Sequence, residues 1–141
     1  NSSMRKVLLR YTPAFIRMHD IWVYDVAMAV GARVFFDPEP HISYRQHGNN
    51  AVGQANSFRA AWKSRIENVK KNECIRSRLA KELLNGYQDD MTPENLALTR
   101  LVANYKDSFG AWMRLLFTNR LKCAPVSIRL TSKIAILTRR F

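Results

Sequence analysis

The chain has 141 residues, 47% of them hydrophobic and 11% aromatic, which is single-domain size with enough apolar side chain for a packed core and excludes a disordered polymer. Its 23 lysines and arginines against 11 aspartates and glutamates give a formal charge of +12, so nucleic acid, anionic membrane and phosphate-bearing substrates are the natural partners. Cys74 and Cys123 lie far apart without CxxC spacing, which excludes a disulfide framework and a cysteine zinc site, and no run approaches the roughly 18 apolar residues that a bilayer span needs. With no secretory pattern in residues 1 to 15, the expected location is cytoplasmic, at most peripheral at the inner face of the cell membrane. The start at Asn1 rather than at a methionine suggests a fragment or a processed piece.

In chain order, Met4 to Tyr11 predicts a short helix with Val7, Leu8 and Tyr11 on one side, broken by Thr12-Pro13 because the residue before proline avoids the helical region. Ile21 to Val30 predicts a largely buried helix with Asp20 as N-cap and Gly31 at C′. Arg33 to Asp37 is β-rich and stops at Asp37-Pro38-Glu39-Pro40; Ile42 to His47 predicts a second strand, ended by Gly48-Asn49-Asn50. From Ala55 to Leu84, apolar residues step by three or four with one phase shift, as in one long helix or two joined, and Gly86 ends the run. Thr92-Pro93-Glu94 opens a helix carrying Leu98, Leu101, Val102 and Tyr105 on one face; another starts near Ser108, and Val126 to Phe141 predicts a basic amphipathic helix.

Charge is unevenly spread. Residues 1 to 53 hold six basic and four acidic side chains, whereas residues 54 to 141 hold 17 and 7. All the unusual polar clusters lie in the first part, so the chain divides at residue 53 into a motif-bearing region and a basic helical extension, residues 54 to 141. Two strands make no stable sheet alone, so the chain is expected either to self-associate through them or to lend them to a larger sheet.

The clusters are His19-Asp20-Ile21-Trp22 and Tyr44-Arg45-Gln46-His47-Gly48-Asn49-Asn50, set around the predicted helix and strand. In that order, with Gly53, they resemble the C-terminal part of a bacterial family 2 glycosyltransferase, in particular the rhamnosyltransferase-like enzymes of surface-polysaccharide synthesis. The resemblance covers roughly the first 53 residues. It implies an α/β fragment, mostly α in this chain: a helix plus two strands from the C-terminal edge of an A-type glycosyltransferase sheet, followed by a helical extension. It also implies inverting transfer of a sugar from a nucleotide diphosphosugar to a hydroxyl of a glycan or lipid-linked acceptor. The fragment is expected to be inactive by itself, its partner being an upstream nucleotide-binding half of the same protein.

By that resemblance Asp20 is the catalytic base, and His47 a ligand of a divalent metal, Mn or Mg, whose other ligands lie outside this chain. No Asp-X-Asp occurs in the 141 residues, since Asp89 and Asp90 are adjacent. His19, Trp22, Tyr44, Arg45 and Gln46 are the substrate-binding candidates. Strand alternation separates Tyr44 and Gln46 from Arg45 and His47, making the latter the better phosphate-side pair. Each residue also has a plainer reading. Asp20 serves as a helix cap, His19 as a loop side chain, Trp22 as core and His47 as the end of a strand. A different class remains open for the basic half, a nucleic-acid or membrane-binding module: Arg114, Arg120, Lys122, Arg129, Lys133, Arg139 and Arg140 among apolar residues suit an anionic bilayer, while no recognised nucleic-acid motif is present.

Overall fold

Three of the described helix starts are set by short-range side-chain hydrogen bonds. In the computed structural model, which describes residues 1–41, 59, 62–64, 66–67, 74–121 and 126–141, Asn1 Oδ1 accepts the Met4 N–H at 2.9 Å and opens α1, Ser2–Leu8. The helix begins two residues before the expected position and stops short of Tyr11. α2 spans His19–Ala29. Its N-cap is Met18, in extended conformation, so Asp20 is corrected from cap to second helical residue, where its Oδ1 accepts the Ile21 N–H at 2.8 Å. The far end follows the sequence: Gly31 has φ +73°, its N–H donates to Met28 O, and the Ala32 N–H donates to Ala27 O, the paired bonds of a Schellman stop.

The expected α/β fragment is corrected at the next segment. Among the described residues there is no strand, and none of them makes a backbone hydrogen bond to Arg33–Asp37. β-rich composition favours a pleated, half-buried surface, but a strand exists only where a neighbour takes its N–H and C=O groups. No described residue supplies such a neighbour, and Phe35 and Phe36 are 85% and 84% exposed. The second expected strand, Ile42 to His47, lies outside the described residues. The Asp37-Pro38-Glu39-Pro40 stop does form: Asp37 Oδ1 accepts the Glu39 N–H at 3.0 Å and Oδ2 meets His41 Nε2 at 3.0 Å, the His41 contact first and the Glu39 bond second holding the Asp37 carboxyl below its usual range.

α3, Ile75–Tyr87, continues into a 3-10 turn at Gln88–Asp90. Its partner α4, Pro93–Asn104, is capped by Thr92, whose Oγ1 accepts the Asn95 N–H at 3.3 Å, with Pro93 in the first turn as the sequence predicts. The Asn95 side-chain amide donates to Met28 O, which also accepts the Gly31 N–H, and to Ala29 O, tying α4 to the C-terminal carbonyls of α2. α5, Phe109–Phe117, starts at Ser108, which accepts the Ala111 N–H; α6 is Val126–Leu137.

Two apolar clusters hold these helices. The first joins Trp22, Val26 and Ala29 of α2 to Leu79, Leu83, Tyr87 and Met91, with Met4, Val7, Leu8 and Tyr11 packed around them. The second joins Tyr105, Leu115, Ala135, Ile136 and Phe141. It is tied by the Trp112 indole N–H donating to Ile136 O at 2.8 Å and the Phe141 N–H donating to the Tyr105 hydroxyl at 3.0 Å. Burial pushes that hydroxyl up to about 12.

Gly86 does not end α3; the helix runs on through Tyr87. Its role is close approach, because a Cβ there would overlap the ring of Tyr11, whose hydroxyl donates to Glu82 at 2.7 Å. Gly86→Ala is expected to destabilise the fold by about 1–3 kcal/mol, as overpacking typically does, despite alanine's better helix propensity. Urea unfolding of the variant checks this, and a gain in stability would show that Tyr11 moves aside freely.

Candidate functional site

α2 sorts its side chains by face. Trp22, Val26 and Ala29, spaced by four and three, point into the first core. Ile21 and Asp25, also four apart, line a neighbouring cavity of about 470 Å³, and His19 and Asp20 at the first turn are exposed. Trp22 is 6% exposed, with its ring 6.1 Å from that of Tyr87, so the side chain offered as a sugar-stacking surface is a core residue in this structure. Tyr44, Arg45, Gln46 and His47 lie outside the described residues, and the structure therefore brings only His19 and Asp20 together.

The cavity lies between α2, α3, α4 and α6. Leu79, Leu83, Leu98 and Val102 give it apolar walls, Thr131 and Ser132 add hydroxyls, and Arg17, Arg76 and Arg140 add charge. Its size falls within the roughly 300–1,000 Å³ of typical ligand pockets. Asp25 is the half-buried carboxylate of this space and has no ion pair within 4 Å among the described residues. Burial raises its pKa, while the Arg76 guanidinium pulls the other way. A carboxylate with raised pKa beside a cavity is a better proton acceptor than an exposed one, which makes Asp25 a functional candidate that sequence reasoning missed. A signal for it does exist in the sequence: Asp25 is the one charged residue between Ile21 and Val30 on a helix that is otherwise apolar almost all round.

Among the described residues no three His, Cys, Asp or Glu side chains gather as a metal site would require. The described residues thus do not by themselves fit the divalent metal implied by the resemblance, and that expectation rests on His47. Asp89 is exposed, and Asp90 is held by Arg10 through two bonds of 3.2 and 2.7 Å, a structural pairing of α1 with the turn after α3. No helix among the described residues is long and apolar enough to cross a membrane. No protein-family model matches the chain, and no curated protein or solved structure matches it either.

Proposed function

We infer that the chain supplies the base-bearing part of an inverting glycosyltransferase that uses a nucleotide diphosphosugar. The observation that carries this reading is the first turn of α2 within the HDIW and YRQHGNN pattern: His19 and Asp20 stand exposed at a helix start whose next turn is locked into the core by Trp22 and Val26. A carboxylate mounted on a rigid element and open to solvent can meet an acceptor hydroxyl in a fixed direction. In the reaction the acceptor oxygen attacks the anomeric carbon from the side opposite the diphosphate. The C–O bond to the nucleoside diphosphate breaks, and Asp20 takes the hydroxyl proton.

Arg45 and His47 are the proposed contacts to the leaving diphosphate, and the donor nucleotide is proposed to sit on another part of the same enzyme, because no Asp-X-Asp occurs in these 141 residues. Asp20→Asn in the complete enzyme tests the assignment: transfer is lost while donor binding remains, and near-normal turnover would remove Asp20 as the base.

A further inference from the structure

We propose that the α5–α6 face docks on an anionic phospholipid bilayer, seating a lipid phosphate between Arg129 and Lys133. Residues 108 to 141 contain seven basic side chains and no acidic one. Among the described residues Arg120 pairs with Glu94 and Arg139 lies over the Trp112 ring, whereas Arg129 and Lys133 have no ion-pair partner. They are four residues apart on α6 and so share a face. Beside them is a small cleft of about 100 Å³, to which Thr118, Asn119 and Ser132 contribute polar groups and Leu116 an apolar wall. Two cations with hydroxyl and amide groups in a space of that size suit a phosphate oxygen cluster.

The apolar part of the same helix selects the partner. Leu130 and Leu137, 47% and 52% exposed, lie with Lys133 on one stripe, while Thr131 and Ser132 turn inward with Ala135 and Ile136. A helix that faced only water would place its leucines inside and its hydroxyls outside. This surface presents aliphatic groups among guanidinium and ammonium groups. That combination is complementary to headgroups with hydrocarbon beneath them. A nucleic acid would use the cations but leave the two leucines without a role. α6 has 12 residues and carries two charges, so it lies in the interface rather than crossing it. The inference stands apart from the glycosyltransferase reading, since it uses none of the same residues.

Sedimentation of the 141-residue chain with vesicles tests it. The chain is expected to pellet with mixed phosphatidylglycerol–phosphatidylcholine vesicles and to stay in solution with phosphatidylcholine alone, and some binding should survive about 0.15 M salt, where long-range attraction is screened. Arg129→Glu with Lys133→Glu should weaken binding at least about tenfold, given the effect of each basic group at an anionic surface. Leu130→Ser with Leu137→Ser should weaken it too, with an unchanged circular dichroism spectrum. Arg5→Glu with Lys6→Glu on α1, an equal charge reversal elsewhere, should have little effect. Equal binding to both vesicle types, an equal loss in the α1 variant, or indifference to the leucine pair would overturn the proposal. So would binding to single-stranded DNA or RNA that depends on Arg129 and Lys133 in a chain that ignores phosphatidylglycerol.

Discussion

Asp20→Asn is expected to lower sugar transfer by about 10²- to 10⁴-fold, the contribution that a positioned general base typically makes. The substitution is nearly isosteric. The amide would still offer a side-chain oxygen to the Ile21 N–H, which Asp20 now accepts at 2.8 Å, so the first turn of α2 keeps its local bond. What would be lost is the group proposed to take the acceptor proton. Because Asp20 is exposed and lies outside both apolar clusters, the melting temperature should move little. Donor affinity, measured by calorimetry, should also stay close to that of the unaltered enzyme. His19→Ala makes a useful companion, since that side chain is exposed and is a candidate for substrate binding; its substitution should raise the KM for acceptor and lower the rate at saturating acceptor far less than Asp20→Asn does. A variant with intact fold, intact donor affinity and no transfer identifies the base. Parallel loss of all three would mean that Asp20 matters only to the helix.

Trp22→Ala should cost about 3–5 kcal/mol of folding stability, the usual range for deleting a large buried aromatic. The ring sits at 6% exposure against Tyr87, on the same α2 face as Val26 and Ala29, and it links that helix to Leu79 and Leu83 of α3. Domains of this size are stable by only about 5–15 kcal/mol, so the loss is a large share of the whole. Trp22→Phe should cost clearly less, because it leaves a smaller void. Urea unfolding separates this role from sugar stacking, which would instead change the KM for acceptor and leave stability nearly untouched.

The features legible in the sequence are those decided within a few residues. Gly31, Thr92-Pro93 and Ser108 mark their helix ends because a left-handed stop, a hydroxyl cap and a proline in the first turn act locally. The position of Asp20 at a helix start and the core character of Trp22 follow from the same local logic. Features decided by distant neighbours are not legible in this way. Arg33–Asp37 has strand composition but no strand beside it among the described residues. Gly86 has the look of a stop, yet its small size serves Tyr11, 75 positions away in the chain. Asp25 stands out in the sequence as a lone charge on an apolar helix, but its burial becomes visible only when α3 and α6 are placed around it, with Arg76 and Ser132 lining the same cavity. Cap chemistry is written in a few adjacent residues; packing partners and desolvation are not.

The most direct measurement of the glycosyltransferase assignment is product analysis with the complete enzyme. Uridine, guanosine and thymidine diphosphosugars would be offered with a glycan or lipid-linked acceptor, and released nucleoside diphosphate and transferred sugar counted in the same reaction. One donor should give equal amounts of both, with nuclear magnetic resonance showing an inverted anomeric centre and with Asp20→Asn giving neither product. A retained anomeric configuration, or transfer undiminished in Asp20→Asn, would contradict the assignment.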